Sequence, residues 1–415
     1  MRPQGNRSRV VALAATLATA LVLLILPPVA SANFVYWTNL FGNSIGRAKI
    51  NGTGPNDSFI PGIPSSPGAT GIAVDSKFIY WDEQTGASAS IGRANLDGTG
   101  VNHQFISSGV VNPQGLAVTS SGIYWTNEAA MGHSTIGHAN IDGSNPTQNF
   151  VDPGLITICG LAADQSFVYY LNTTTPSIGR APLGGGAAQT GFVPVSSAQC
   201  GVAVDSSFLY WATADNHVGR VAVAGGTAQP SFITNAAGTM QSVSGVATNP
   251  QFVFWGNNNG STSGNFIGRA NIGGGSPNPT LVPGASRPFM LAAAPSNKIT
   301  VNSITKKKKK GTATINAKVP GPGQVTLNQT STPPDVNATA AAVKQQGLTI
   351  TAASSFKLAV KPVGKTAKKL KKGVKKKGKA KAKVNVFIHF VPAGVAGVPN
   401  TQQVTVTLIK QGKKK

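Results

Sequence analysis

Six aromatic pairs, each followed after a short gap by a hydrophobic-Gly-Arg triplet (once Gly-His), recur along this 415-residue chain. The pairs are Tyr36-Trp37, Tyr80-Trp81, Tyr124-Trp125, Tyr169-Tyr170, Tyr210-Trp211 and Phe254-Trp255. Their triplets are Ile45-Gly46-Arg47, Ile91-Gly92-Arg93, Ile136-Gly137-His138, Ile178-Gly179-Arg180, Val218-Gly219-Arg220 and Ile267-Gly268-Arg269. Steps between the second aromatics are 44, 44, 45, 41 and 44 residues, so one structural unit has been copied. A period of about 40–45 residues built from short apolar runs marks an all-β chain folded as a β-propeller, one four-stranded blade per repeat.

The second copy shows the unit. Gly71 to Asp75 reads as an inner strand covered on both faces, and Phe78 to Asp82 as a second strand rich in β-formers. Ile91 to Leu96 makes a third strand, which Asp97-Gly98 ends as a hairpin signal, and a fourth lies near Gln104 to Ile106. The chain enters this pattern at Phe34 to Trp37, a second strand with no first strand before it. Pro288 to Ala294 has the register of a first strand but no second strand after it. It is expected to supply the missing inner strand, closing six blades over residues 33–297 and removing exposed sheet edges.

Charge divides the chain in two. Residues 33–297 hold eight basic and eleven acidic side chains, whereas residues 298–415 hold twenty-five lysines and one acid, Asp335. The net charge of +24 therefore describes the C-terminal region and not the repeats. Arg2, Arg7 and Arg9 precede the apolar run Val10 to Leu26, which Pro27-Pro28 stops ahead of Ala30-Ser31-Ala32. That order reads as a secretory signal peptide over residues 1–32, with an uncleaved anchor as the alternative. A secreted or extracellular protein, free or associated with the cell envelope, is expected. The two cysteines, Cys159 and Cys200, precede the same inner-strand motif in adjacent copies. In an oxidising compartment they form either a disulfide or two packed thiols.

Tyr36-Trp37-Thr38-Asn39 and Tyr124-Trp125-Thr126-Asn127 resemble the YWTD repeat of low-density-lipoprotein-receptor class B propellers. Ile91 to Gly98 is similar to the strand and turn that follow in that family, and the resemblance spans residues 33–297. It departs at the fourth letter, which reads Asn39, Glu83, Asn127, Asn172, Thr213 and Asn257. The resemblance implies six blades and the binding of a protein partner, not catalysis. Trp followed at a distance by Ile-Gly-Arg also resembles the propeller lyases that open streptogramin antibiotics. Those are seven-bladed and magnesium-dependent, and no residue here matches their catalytic His and Glu.

Each repeated feature has two readings. Arg47, Arg93, His138, Arg180, Arg220 and Arg269 either form a ring that holds an anionic ligand or pair with acids such as Asp75, Asp164 and Asp205. The five tryptophans either line a recognition surface or fill space between blades. Glu128, His133, His138 and Asp142 cluster in the third copy without metal-ligand spacing. No HExxH, CxxC, Gly-x-Ser-x-Gly elbow or phosphate-binding loop before a helix occurs, and no helix is expected. No catalytic residue, metal site or cofactor is therefore singled out. Copies differ most in the loops Glu128 to Thr135 and Gly256 to Asn265, where a ligand is expected, with Glu128 and His133 among its contacts.

Beyond the repeats, Thr312 to Val319, Gln324 to Leu327, Gly347 to Ala353, Phe356 to Val360, Val384 to Phe390 and Gln403 to Ile409 alternate like half-exposed strands. They suggest a small basic β-sandwich of immunoglobulin-like type over residues 298–415. Segment 361–383, with Lys368, Lys369, Lys371, Lys372, Lys375, Lys376 and Lys377, reads as a mobile, polyanion-binding loop. Lacking interleaved aromatics, it suits an anionic wall polymer or membrane surface and not sequence-specific nucleic acid. The reading as a whole is a monomeric, exported binding or scaffold protein for a protein or glycan partner. The alternative is an extracytoplasmic lyase or hydrolase with a site built from loops.

Overall fold

The computed structural model describes residues 34–412 except 41, 65–66, 76, 86–87, 129–132, 235–241, 261–264, 295–298, 320–322, 330–342, 351–353 and 393–399. The leader expected over residues 1–32 lies outside them. Among the described residues, 34–294 form six antiparallel sheets, each four strands across. The first takes its strands in the order Pro288–Ala293, Phe34–Asn39, Ser44–Lys49, Asn56–Pro61. Its register places Val35 opposite Ala293, Tyr36 opposite Ala292 and Trp37 opposite Leu291. The two ends of the repeat region thus share one sheet. In the second sheet the inner edge is interrupted: Pro67–Gly68 and Ile72–Val74 both pair with Phe78–Thr85.

Innermost strands touch in cyclic order. Pro288–Ala293 meets Ile72–Val74, followed by Leu116–Thr119, Ile158–Ala163, Val202–Val204 and Val243–Thr248, which meets Pro288–Ala293 again. The aromatic pairs explain the cycle. Consecutive strand residues point to opposite faces, so each pair sends one ring to each side of its sheet. Tyr36 packs with Trp81, Tyr80 with Trp125, Tyr124 with Tyr170, Tyr169 with Trp211 and Tyr210 with Trp255. Phe254 then packs with Trp37, returning to the first sheet. All twelve rings are fully buried, so the tryptophans fill space between sheets and line no surface.

The triplet glycine makes room for the second ring. Trp37 lies opposite Gly46, Trp81 opposite Gly92 and Trp255 opposite Gly268. A Cβ at those glycines would stand 2.1, 2.4 and 2.2 Å from the indole. The ring lies flat on the bare backbone, and any side chain would lift it into the neighbouring sheet.

The C-terminal residues form two further antiparallel sheets. One orders Thr300–Lys307, Thr312–Val319 and Ser354–Val360; the other orders Gln346–Ile350, Gly323–Asn328, Lys379–Pro392 and Asn400–Gln411. Ile315 and Leu358 of the first share one apolar cluster with Val325, Ile388 and Leu408 of the second. One strand was not anticipated in the sequence, and one expectation is corrected here. Thr300–Lys307 is a strand that carries Lys306 and Lys307 into the sheet opposite Ala313 and Thr312. Segment 361–383 is no loop: Gly364–Lys377 is an α-helix, and a strand starts at Lys379.

Repulsion among its lysines argued against order, but Lys, Ala and Leu are good helix formers, and burial decides the outcome. Leu370 is buried in the apolar cluster shared by the two sheets, and Gly373 abuts Ala380. Gly378, at φ 62°, closes the helix by donating its N–H to the Val374 carbonyl at 2.8 Å. Lys375, Lys376 and Lys377 in the last turn suit the negative end of the helix dipole.

Replacing Gly92 with Ala should destabilise the fold by about 1–3 kcal/mol or more through overpacking against Trp81. Gly191→Ala, where a Cβ meets nothing within 4 Å, should change stability by only about 0.5 kcal/mol. Denaturant midpoints of the two variants check the contrast; equal losses would contradict the ring-on-glycine account.

Candidate functional site

The repeated arginines do not converge on a common point. Arg47 lies opposite Tyr36, with its guanidinium carbon 4.4 Å from the Phe34 ring centre and 3.7 Å from that of Phe59. Arg93, Arg180 and Arg220 are held in the same way, between Phe78 and Phe105, Phe167 and Phe192, and Phe208 and Phe232. Each stack is a cation–π contact worth about 1 kcal/mol. Arg47 also donates to the Leu96 carbonyl of the next sheet at 3.2 Å, and Arg269 to Ile50 of the first sheet at 2.6 Å. His138 stacks on Phe150 at 4.5 Å, and burial holds its imidazole below the usual range.

The acids expected as their partners serve elsewhere. Asp75 accepts from the Lys77 and Phe78 backbone N–H groups and from the Tyr80 hydroxyl, and burial raises its carboxyl. Asp164 and Asp205 do the same in their own turns with Tyr169 and Tyr210.

Near the axis the inner strands approach through glycine. A Cβ on Gly115 would stand 2.9 Å from the Gly160 backbone, and one on Gly201 2.5 Å from the Ser244 carbonyl. At Gly160, φ is 58° and the added atom would overlap the Cys200 carbonyl at 1.8 Å, so both conformation and space demand glycine. This closeness brings Cys159 and Cys200 of adjacent sheets to a Cα separation of 5.1 Å, and a disulfide joins them. The position ahead of each inner-strand glycine is Thr70, Gln114, Cys159, Cys200 and Ser244 in five sheets. Two of these bind forward to the next sheet: Thr70 donates to Pro113 at 2.9 Å and Ser244 to Pro288 at 2.8 Å. The Thr70 hydroxyl also lies 3.2 and 3.1 Å from the two Asp82 carboxylate oxygens.

Loops from second to third strands and connections from outer to next inner strands end on the same face of every sheet. There Glu128 accepts from Asn112 at 2.9 Å and from Gln114. His133 pairs with Asp152 at 2.9 Å, and Ser197 donates to Asp215 at 3.3 Å. Asp142, once grouped with them, accepts from Ser144 in its own hairpin. Residues 129–132 and 261–264 of the two variable loops lie outside the described residues. Asn112 and Gln114 were missed in the sequence, although Gln114 occupies the position that carries the two cysteines in later copies.

Beneath this face sits an acid pair. Asp82 is fully buried and accepts from the Thr70 and Gly71 N–H groups at 2.6 and 2.7 Å. Burial pushes its carboxyl up to about 7 against those hydrogen bonds. Glu83 accepts from the Trp81 indole and from His103 Nδ1 at 2.6 Å. Among the described residues no three His, Cys, Asp or Glu side chains stand where they could hold a metal ion. The lysines of Gly364–Lys377 are exposed.

No family model matches the chain, and no curated protein matches it in sequence. In shape, 63% of it overlays 97% of a chain from the crystal structure of a nidogen/laminin complex, with TM-score 0.51 and 19% identity. The fold is a β-propeller. TolB from Acinetobacter baumannii overlays with TM-score 0.47 and 13% identity, over 63% of this chain and 67% of that one. No described helix of the protein is long and apolar enough to cross a membrane.

Two outcomes follow for the propeller. The disulfide closes a loop with a sequence separation of 41, so replacing both cysteines with Ser should lower stability by about 4 kcal/mol, read from denaturant unfolding. A carboxyl raised in the folded state binds more protons there than in the unfolded chain. Stability should therefore fall as pH rises from 3.8 to about 7 on account of Asp82. Subtracting the Asp82→Asn curve from that of the unaltered protein should isolate this slope; parallel curves would contradict it.

Proposed function

We propose that this is an exported binding protein with two working parts. Residues 33–297 form a six-bladed propeller of YWTD type that takes a protein or glycan partner on the face bearing the second-to-third-strand loops. Residues 298–415 form an immunoglobulin-like basic domain that attaches the protein to an anionic surface outside the cytoplasm. The six sheets, their cyclic contacts and the aromatic repeats support the first part. In the second, the split into Thr300–Lys307, Thr312–Val319, Ser354–Val360 against four other strands resembles immunoglobulin-type connectivity, with the fourth strand moved to the opposite sheet.

One observation carries the choice of face. Repeated side chains are committed inside and between sheets, whereas the unrepeated polar ones gather on a single face. Among the described residues that face bears Glu128, Asp152 and Asp215, with His133 paired to Asp152. Its acidic character favours a partner with a basic or amide-rich surface.

The test exchanges both variable loops, Glu128 to Thr135 and Gly256 to Asn265, for the short Ala214 to His217 connection in the full mature chain. Capture of the partner by the immobilised protein should fall at least about tenfold, as loss of 1.4 kcal/mol or more would give. Unchanged capture would move the site to another face, and turnover of a small substrate lost on the same exchange would favour a lyase or hydrolase.

A further inference from the structure

The lysine runs that are separate in sequence meet in the fold. Lys307–Lys310 make the turn between the first two strands of the C-terminal region, closed by the Gly311 N–H donating to Lys307 at 2.9 Å. The last strand ends beside that turn: the Gln411 N–H donates to the Lys308 carbonyl at 3.0 Å. One residue on, the Gly412 N–H donates to Gly378 at 2.8 Å, the residue that ends the helix. Residues 411–412 are thus clamped between the lysine turn and the helix end, with the Lys410 stem against Gly311.

The helix adds a face of its own. At 3.6 residues per turn, Leu370 and Val374 point to the sandwich, and seven lysines from Lys365 to Lys376 cover the opposite side. The helix has 14 residues, about 21 Å of length at 1.5 Å per residue. Its first turn has no acidic residue and no side-chain cap, so Lys365 and its neighbours lie against an unfavourable dipole end. The only acid in residues 298–415 is Asp335, so twenty-five lysines have almost no counter-charge in their own region.

We propose that the helix, the Lys306–Lys310 turn and the end of the last strand form one continuous platform for a linear polymer of phosphate groups. This deepens the anionic-surface reading above and rests on it. Charge complementarity names the sign of the occupant, and three further features narrow its kind. The outward face of the helix carries no apolar side chain to enter a bilayer, since Leu370 and Val374 face the protein. It carries no aromatic on which a base could stack. Its cations are all lysine, point charges suited to successive phosphates and lacking the fork that grips a carboxylate in two places. Rows of lysines three and four apart lie about 5–6 Å from one another, which lets one extended chain meet several in turn.

The experiment titrates the full mature chain with long-chain inorganic polyphosphate across a salt series, and in parallel with vesicles of phosphatidylglycerol and phosphatidylcholine. Polyphosphate should bind more tightly than vesicles at equal phosphate, with log affinity falling linearly in log salt. Lys372→Gln/Lys376→Gln and Lys309→Gln/Lys310→Gln should each weaken binding roughly 25-fold at 0.1 M salt and reduce the slope by about 1.4. The equal-charge control Lys318→Gln/Lys357→Gln should change neither, and the corresponding Lys→Arg pairs should keep full affinity. Helix content by circular dichroism confirms folding of every variant, Gln having a helix propensity close to that of Lys. Losses as large in the control would overturn the platform. Tighter binding to vesicles would overturn the polymer while leaving the anionic-surface reading in place, and binding to neither probe would overturn both.

Discussion

The aromatic ring laid on a bare glycine is the contact from which the rest of the propeller follows. Trp81 on Gly92 lets one sheet present a flat indole to its neighbour, while Tyr80, one residue earlier, meets the indole of the next sheet. Each sheet is therefore buried on both faces by the same two positions, and it can repeat only by adding another like itself. An open stack would leave Phe254 and Trp37 unpaired at its two ends. Closure removes that cost: Phe254 packs with Trp37, and Pro288–Ala293 joins the first sheet. Two of the stacked arginines add ties between sheets, Arg47 to the Leu96 carbonyl and Arg269 to that of Ile50, whereas Arg180 and Arg220 bond to Gln189 and Gln229 of their own sheets.

What could be read from residue types was whatever the unit repeats. The aromatic pair, the glycine and the Asp-Gly hairpin each reflect a local packing demand, and their spacing exposes them. The role of the arginines was not legible, because a positive charge in a ring suggests a carboxylate partner. Their partners are phenylalanines set two residues before the aromatic pair and in the outer strand, such as Phe34 and Phe59. The disulfide geometry was hidden for another reason. Neighbouring inner strands are normally held apart by side chains, and only the glycine at 160, in a left-handed conformation, lets Cys159 and Cys200 meet. The helix was missed because composition weighs lysine repulsion across the whole segment, whereas Leu370 alone supplies the buried contact that anchors it.

Of the candidate site, the variable loops marked a face, but the residues on it had to be found in three dimensions. Gln114 and Asn112 come from the connection between sheets and reach Glu128, which comes from a loop within one. No sequence period links those positions, since the two segments belong to different parts of the unit. Asp82 does sit at a repeated position, but its role differs from that of its counterparts. Its neighbours in other copies are Thr38 and Thr126, and the hydroxyls there accept from the inner strand where Asp82 uses a buried carboxyl.

The two regions solve opposite electrostatic problems. Within the propeller, side-chain charges are few and mostly engaged at once by rings, turn N–H groups or histidines, so the field it projects is weak and comes from a handful of loop acids. The C-terminal region has an apolar core, and among the described residues no ion pair engages its lysines. A weak, shaped surface gives selectivity with little long-range pull, and a dense cationic one gives long-range pull with little selectivity. On the proposed reading, joining them in one chain would raise the local concentration at which the first meets a partner on the same anionic structure. Salt then becomes the control on the pair. Screening shortens the reach of the lysines within about 10 Å at 0.1 M while leaving the buried contacts of the propeller untouched.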